Sequence, residues 1–146
     1  MEVQEYNLPD KKLLDTPIVP AAMLWQPDEV YIVLGRSNQA ESSVYPERLE
    51  ADGVTLLKRP SGGETVVLTP RMLVIACTWP LGVDSSSSVI FRMSNQIVMD
   101  VLRQQGVNEV NQKGISDISL GETKIAGSAM HRARDRWFYH AVLNVA

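Results

Sequence analysis

The segment from Lys58 to Val66 combines a positive charge with glycines, and that combination can bind an anion. Arg59 precedes Ser61, Gly62 and Gly63 in it. Glycines let backbone N–H groups approach an anion closely, and an arginine neutralises the charge of a phosphate or carboxylate. The segment therefore predicts an anion-binding turn. The alternative is an ordinary turn between two strands with a solvated arginine, because paired glycines are common in turns.

A second segment places Lys124 just ahead of the small residues Gly127, Ser128 and Ala129. A lysine in this position could reach a carbonyl or phosphate oxygen and stabilise developing negative charge. The small residues would leave room beside it for a ligand. Asp117 lies across a predicted hairpin, where it could meet Lys124, a ribose hydroxyl or a metal. The alternative is a solvated lysine in a surface ion pair, which contributes little to stability.

Other side chains could also do chemistry, although a structural role is the usual one for each. His140 follows three aromatic residues on a predicted strand. Cys77, the single cysteine, sits in an apolar run that predicts a buried strand, whereas a reactive thiolate needs a positive, partly exposed setting. One cysteine and two scattered histidines do not form a zinc ligand set, so no metal residue is predicted. A group of three arginines, Arg132, Arg134 and Arg136, predicts a solvated hairpin or a docking edge for an acidic partner.

The elements that must position these residues are strands and a few helices. Strands are predicted at 29–35, 54–59, 65–68, 73–79, 107–110, 114–120, 124–132 and 138–145. Helices are predicted at 46–53 and from the serine-rich stretch around Asp84 to Gln105. Residues 1–24 are expected to run extended over the surface, and a short strand is compatible with this segment. The fold class is α/β of the α+β kind, with a mixed, mainly antiparallel sheet, because no regular βαβ repeat indicates a Rossmann domain.

The long predicted helix has apolar residues at four-residue spacing. They are Val89, Met93, Ile97 and Val101. This spacing is typical of an amphipathic helix.

Composition bounds the class of protein. The 146 residues predict one domain, 1–146, and 45% hydrophobic residues are enough to build a core. A net charge of −3 gives no general electrostatic reason to bind nucleic acid or an anionic membrane. No apolar run approaches the roughly 18–20 residues that span a bilayer, and the acidic N-terminus lacks a signal core. A cytoplasmic location is therefore expected.

Four segments, in order and spacing, resemble the catalytic domain shared by lipoate–protein ligases, biotin ligases and octanoyltransferases. The resemblance covers roughly residues 24–145. Its segments are Trp25–Pro27 with Ile32–Gln39, Lys58–Gly63, Asp117 with Lys124 and Gly127–Ala129, and Asp135–Leu143. Relative to the family, the chain is expected to lack an amino-terminal helix and later helices.

The resemblance implies a mixed α/β fold and a transfer of acyl groups. The family's ligases use ATP and Mg²⁺ to activate lipoate, octanoate or biotin as an acyl-adenylate. The acyl group then passes to a lysine on a carrier domain, of the 2-oxoacid dehydrogenase or glycine cleavage type for lipoate. Octanoyltransferases work without ATP, usually through a cysteine thioester.

The resemblance also implies roles for individual residues. Lys124 would contact the acyl carbonyl and the phosphate. The turn of Arg59, Ser61, Gly62 and Gly63 would line the acyl and phosphate channel. Asp117 belongs to the same binding set. The opposite wall would consist of Gly127, Ser128 and Ala129, supported by His140.

Two departures from the family pattern keep other functions open. Leu68 stands where the family usually carries a histidine, and Glu64 replaces the third glycine of the ligases. A carboxylate at 64 would face anionic phosphates. One alternative is a non-catalytic family member that binds a ligand or partner. Another is an ATP-independent acyltransferase that uses Cys77. A second chain, or a homodimer formed by pairing of open sheet edges, is also compatible with the sequence.

Overall fold

Short runs of β-branched and aromatic residues form ten strands in two sheets. A computed structural model describes residues 2–82 and 86–146, and these counts refer to that part of the chain. The strands are β1 (Gln4–Glu5), β2 (Ala21–Trp25), β3 (Tyr31–Leu34), β4 (Thr55–Lys58), β5 (Val66–Leu68), β6 (Met72–Pro80), β7 (Val110–Lys113), β8 (Asp117–Leu120), β9 (Thr123–Arg132) and β10 (Arg136–Asn144).

The smaller sheet has the order β1-β4-β3-β5, with β1, β4 and β3 parallel and β5 antiparallel to β3. The larger sheet has the order β2-β6-β10-β9-β8-β7 and is antiparallel throughout. The predicted α+β class with mainly antiparallel strands is therefore confirmed. The expectation of a single sheet was wrong. The strands predicted at 65–68 and 73–79 exist, but they lie in different sheets.

Helices are few, as expected. They are a 3₁₀ turn (Pro9–Lys11), α1 (Lys12–Asp15), α2 (Ala40–Ser43), α3 (Pro46–Ala51) and α4 (Ser87–Gln104). The Ser86 hydroxyl caps α4 by accepting a hydrogen bond from the Val89 N–H at 3.2 Å. Gly106, with φ of +89°, follows the helix end. The predicted cap at Asp84 lies outside the described residues. No helix of the described chain is long and apolar enough to cross a membrane.

The buried face of α4 differs from the apolar stripe read in the sequence. Ile97 and Val101 are about half exposed, whereas Ile90, Val98 and Met99 are buried. The true inner face also carries Ser94 and Asn95, two polar residues that break the apolar pattern. Hydrogen bonds satisfy them, because Trp79 Nε1 donates to Ser94 at 2.9 Å and Tyr139 donates to Asn95.

The amino-terminal segment includes the short exposed strand β1, but the residues after it pack inward, which corrects the expectation that residues 1–24 run over the surface. Tyr6, Leu8, Asp10 and Leu13 are buried. Arg136 holds the segment by donating hydrogen bonds from Nη1 to the Leu13 carbonyl at 2.9 Å and to the Thr16 carbonyl at 2.6 Å. The segment therefore packs into the molecule, and it contributes to the site described below.

Several predicted boundaries moved by a few residues, including the start of β8 at Asp117. The strand expected at 107–110 is β7, which begins at Val110. Gly106 ends α4, so the chain needs the next residues to turn back onto the sheet. The last strand, predicted to begin at residue 138, begins two residues earlier, at Arg136.

Candidate functional site

The two sheets enclose a cleft of about 400 Å³. One wall comes from the turn after β4 and from β5. The other wall is the face of the larger sheet built by β6, β10, β9 and β8. The lining includes Gly63, Glu64, Val66 and Leu68 on the first wall, and Val74, Asp117, Gly127, Ala129, His140 and Val142 on the second.

A single row across the larger sheet changes from polar to apolar. Strand register pairs Asp117 with Gly127, Gly127 with Val142, and Val142 with Val74. Neighbouring strands lie about 4.8 Å apart, so this row spans roughly 14 Å. The cleft therefore offers a carboxylate and a lysine at β8 and β9, and an apolar floor at β10 and β6.

The lysine reaches this row because β9 carries one extra residue. Lys124 and Gly127 are three positions apart, so a regular strand would place them on opposite faces. Between the pairs Ile118–Ala126 and Ser119–Lys124, β8 advances by one residue and β9 by two. Ile125 is therefore left unpaired, and the alternation reverses. As a result, Lys124 and Gly127 both line the cleft.

Lys124 and Asp117 form an ion pair across the hairpin, as the sequence predicted. Lys124 Nζ lies 3.1 Å from Asp117 Oδ1, and the side chains are 58% and 37% exposed. An exposed pair of this kind is weak, so the ammonium can turn to an incoming anion at little cost. A Cβ on Gly127 would lie 3.3 Å from Lys124 Cε and Nζ. The missing side chain leaves room for the lysine.

Small residues after Lys124 complete this wall. Ala129 lines the cleft beside His140, its partner across β10. Ser128 also lies in the lining, and its N–H and hydroxyl both donate to the Ser116 carbonyl, at 2.8 and 2.7 Å. These bonds hold the chain before β8 against β9.

Arg59 is buried and shapes the glycine turn from inside. It is 5% exposed. Nη1 donates to the Val33 carbonyl at 3.2 Å, and Nη2 donates to the carbonyls of Gly62 and Glu64 at 2.8 and 2.9 Å. Burial lowers the pKa of the guanidinium. The alternative of a solvated arginine between paired strands was wrong, because β4 and β5 flank β3 without pairing with each other.

The glycine turn packs closely against the chain that follows β3. A Cβ on Gly35 would lie 1.9 Å from the Gly63 carbonyl oxygen. Asn38 Oδ1 accepts hydrogen bonds from the Gly35 N–H at 2.8 Å and from the Thr65 hydroxyl at 3.1 Å. Gly63 itself has φ of +95°, which glycine adopts without strain. Gly35 and Asn38 were not singled out as site residues, although both belong to the resembling segment 32–39.

A buried chain of hydrogen bonds ties the turn to β10 and to the amino-terminal segment. Ser61 Oγ lies 2.6 Å from His140 Nε2, and His140 Nδ1 lies 3.1 Å from Asp10 Oδ2. Tyr6 donates its hydroxyl proton to Asp10 Oδ1 at 2.6 Å. A carboxylate only accepts, so the proton of the imidazole sits on Nδ1.

This chain of bonds places Ser61 behind the cleft. Ser61 is fully buried and does not line the cleft, whereas His140 does. Gly62 is likewise absent from the lining, and its N–H donates to the Met130 carbonyl at 3.4 Å. The structure therefore brings Lys124, Asp117, Arg59, Gly63, Gly127, Ser128, Ala129 and His140 to one cleft, with Ser61 and Gly62 supporting it.

The family model for the lipoyl protein ligase A/B catalytic domain matches residues 1–146. The chain belongs to this family. It is 30% identical over 122 residues to a lipoate-protein ligase A of Psychrobacter cryohalolentis, a match that covers 84% of this chain. The resemblance seen in the sequence is confirmed.

Solved structures of lipoate ligases share the fold. The bi-partite lipoate protein ligase of Thermoplasma acidophilum, described with its E2 lipoyl domain, has a TM-score of 0.80 at 21% identity. A lipoate-protein ligase A bound with ATP has a TM-score of 0.76 at 21% identity, covering 99% of this chain and 67% of that one. The present chain spans 34% of the Psychrobacter protein, and 99% of it aligns with 62% of the Thermoplasma chain.

In this lipoyl protein ligase A/B domain, Cys77 lies away from the cleft. It neighbours Ala76 on β6, but it packs with the cluster under α4. Burial raises the pKa of its thiol. A thioester route through Cys77 has no geometric support, because the thiol and the cleft lie on opposite faces of the sheet.

The departures from the family pattern at positions 64 and 68 both face the cleft. Leu68 is buried, lines the cleft and packs with Tyr6 and Val33. Glu64 also lines the cleft, and its Oε2 accepts a long hydrogen bond from Asn38 Nδ2 at 3.5 Å. Leu68 thus extends the apolar surface, while Glu64 adds a negative charge.

The arginines of the last hairpin do not form one docking edge. Arg136 is buried and bonded to Asp135 at 2.9 Å. Arg132 stacks over the Trp137 ring at 5.7 Å. Only Arg134 remains exposed without such a contact among the described residues.

Proposed function

We propose that this domain binds lipoate or octanoate in the cleft, activates it with ATP as an acyl-adenylate, and transfers the acyl group to a carrier lysine. The polar-to-apolar row from Asp117 to Val74 carries this proposal. A fatty acyl chain with a charged head needs such a surface. Family membership supports the choice of lipoyl or octanoyl groups.

The apolar side of the cleft suits a medium-length acyl chain. Val142 and Val74 form its floor, while Val66, Leu68 and Met72 complete the lining. Burial of an apolar chain here would contribute about 25 cal/mol for each Å² removed from water. The apolar floor also fixes the orientation of the ligand, because its carboxylate end then lies at Lys124 and Asp117.

At the polar side, Lys124 stabilises negative charge. In the activating step the acyl carboxylate attacks the α-phosphate of ATP and pyrophosphate leaves. In the transfer step the carrier amine attacks the acyl carbonyl and AMP leaves. The Lys124 ammonium can contact both the phosphate and the carbonyl oxygen, where charge develops in each step. Exposure of its side chain leaves it free to do so.

Magnesium would fit at Asp117. Mg²⁺ in nucleotide sites is held by one or two carboxylates together with phosphate oxygens and water. Asp117 lines the cleft beside Lys124, so it supplies one such carboxylate, and the nucleotide would supply the phosphate oxygens. Asp117 would position the ion, which would neutralise phosphate charge.

The carrier would be a lipoyl domain of the 2-oxoacid dehydrogenase or glycine cleavage type. The Thermoplasma ligase of the same fold is described with its E2 lipoyl domain. Because the Lys124 side chain is 58% exposed, a lysine of the carrier could approach the acyl group from this side of the cleft.

Removal of the lysine tests this function. We expect Lys124→Ala to fold normally and to lose binding of a non-hydrolysable lipoyl-adenylate analogue. In a thermal-shift titration, ligand at about 100 times its Kd stabilises a protein by roughly 2.7 kcal/mol. The wild-type shift should disappear in the variant.

Lys113→Ala is the matched control, since Lys113 pairs with Glu122 and does not line the cleft. Unchanged affinity of Lys124→Ala would contradict the role of the lysine. Binding without lipoylation of a carrier domain would instead favour the non-catalytic alternative, for which the carboxylate of Glu64 in the cleft is the supporting observation.

A further inference from the structure

A second cavity lies behind the wall that closes the cleft. It measures about 570 Å³, and Tyr6 and Arg59 line both cavities. Its volume falls in the range of roughly 300–1,000 Å³ that is usual for small-molecule sites. The positively charged residues around it are Lys11, Arg36, Lys58, Arg59 and Arg134. With three carboxylates also in the lining, the cavity has an excess of two positive charges in a chain of net charge −3.

Two of the three carboxylates already form ion pairs, and the third, Asp15, acts weakly on Arg136. Glu5 lies 3.8 Å from Lys11, and Asp135 lies 2.9 Å from Arg136. The pKa of Arg136 is raised by its hydrogen bond to Asp135 and, more weakly, by Asp15. Arg136 does not line the cavity. Glu5 and Asp135 are therefore paired with Lys11 and Arg136, and neither forms an ion pair with the other cations of the cavity.

Four cations form no ion pair within residues 2–82 and 86–146, although the hydrogen bond from Arg136 and, more weakly, the charge of Arg134 lower the pKa of the Asp135 carboxyl. The side chains of Arg36 and Arg134 form no hydrogen bond or ion pair there, and both are exposed. Lys58 Nζ donates to the Asn38 carbonyl at 3.0 Å. Arg59 keeps a buried Nε–H without a partner. Donors that converge without acceptors are typical of an anion site.

His131 sits among these cations. Burial lowers the pKa of His131 first, and the positive charge of Arg36 lowers it further. The neutral ring is therefore favoured over the protonated ring in the free protein. A bound anion would offset the repulsion and make His131 easier to protonate.

We propose that this second cavity binds a phosphate or diphosphate group between Arg36, Lys58 and Arg134. The group could come from free pyrophosphate or from the phosphate chain of a nucleotide. Two excess positive charges match an anion with two or more negative charges. The proposal stands on the cavity alone and does not require the acyl cleft to be active.

The experiment follows the two histidine rings by NMR in Lys124→Ala protein. This variant removes the lysine of the cleft, so phosphate binding there is suppressed. His131 and His140 are the only histidines of the chain, and His131→Gln assigns the signals. The pH titration is run without ligand and with 5 mM phosphate, pyrophosphate, AMP or ATP.

We expect pyrophosphate to raise the pKa of His131 by ~0.5 unit or more, in the direction of a nearby opposite charge. A shift with pyrophosphate and ATP but not AMP identifies a diphosphate site. A shift with AMP and ATP alone identifies a nucleotide phosphate. Adding Arg36→Gln or Arg134→Gln, both at exposed positions, should abolish the shift, and circular dichroism checks that each variant folds.

Arg92→Gln is the matched control, because Arg92 is exposed on α4 and lines neither cavity. The proposal is overturned if none of the four compounds moves the His131 pKa. An equal shift in the Arg36→Gln and Arg92→Gln proteins would also overturn it. So would a His131 shift produced by a carrier domain but by no phosphate compound.

Discussion

Gly35 has no room for even a methyl group. A Cβ there would overlap the Gly63 carbonyl, which is backbone and cannot move without shifting the whole turn. We expect Gly35→Ala to lower the free energy of unfolding by several kcal/mol and to weaken binding of the adenylate analogue. Gly62→Ala is the matched change, because a Cβ at Gly62 would meet no atom within 4 Å. Urea unfolding of both variants should separate them clearly, and equal stability would contradict the close approach.

Glu64 places a negative charge in a cleft that is proposed to bind phosphate. We expect Glu64→Gln to tighten binding of the adenylate analogue about fivefold, because it removes repulsion and keeps a polar side chain near Asn38. Isothermal titration calorimetry at two salt concentrations is the measurement, since screening should shrink the difference. Weaker binding by Glu64→Gln would show that the carboxylate contacts the ligand usefully.

At the scale of elements, the apolar stripe that the sequence predicted for α4 differs from the face that is buried. Ile90 is fully buried and Ile97 is 49% exposed, although both are isoleucines on the same helix. We expect Ile90→Ala to cost about 2–5 kcal/mol of stability and Ile97→Ala about 1 kcal/mol or less. Chemical denaturation of the two variants checks this. A larger loss for Ile97→Ala would restore the stripe that the sequence indicated.

The elements also show what a sequence could predict. Apolar runs and turn residues located most strands within two or three positions, and Pro46 and Gly53 marked α3 correctly. Two features were out of reach. Ser94 and Asn95 look like surface residues, and only their partners Trp79 and Tyr139 explain their burial. The extra residue at Ile125, which turns Lys124 into the cleft, depends on pairing with β8.

At the scale of the site, the motifs in the sequence predicted several of the residues that line the cleft. Lys124 and Asp117 lie as expected, because a short hairpin connects them. Asp10 and Tyr6 were missed, because they come from a segment without periodicity. Asp10 bonds His140 from 130 positions away in the chain, and Tyr6 bonds Asp10. Such contacts between distant parts of the chain leave no local pattern.

The whole molecule should lose stability at alkaline pH. Burial raises the pKa of Tyr6, and Asp10 raises it further; burial also raises the pKa of Tyr139. The folded state keeps these protons above pH 10, whereas the unfolded chain releases them. The contribution of these two tyrosines to stability is therefore complete below about pH 10 and is lost above it, by up to about 1.4 kcal/mol per pH unit for each tyrosine.

Urea unfolding at pH 8 to 11 measures this slope. Tyr6→Phe and Tyr139→Phe should each make the alkaline slope shallower, whatever they do to stability at pH 8. Tyr45→Phe is the control, because Tyr45 is 71% exposed. An unchanged slope in both buried variants would contradict the assignment.

Tyr6 and Arg59 form a wall with a cavity on either side. Two ligands that contact opposite faces of the same side chains can influence each other's binding through them. If one ligand changes the affinity of the other by some factor, thermodynamic reciprocity requires the same factor in return. Occupancy of the second cavity would then change the ligand concentration at which the acyl cleft fills. Each ligand can be titrated with and without the other, and the two titrations should give the same coupling factor.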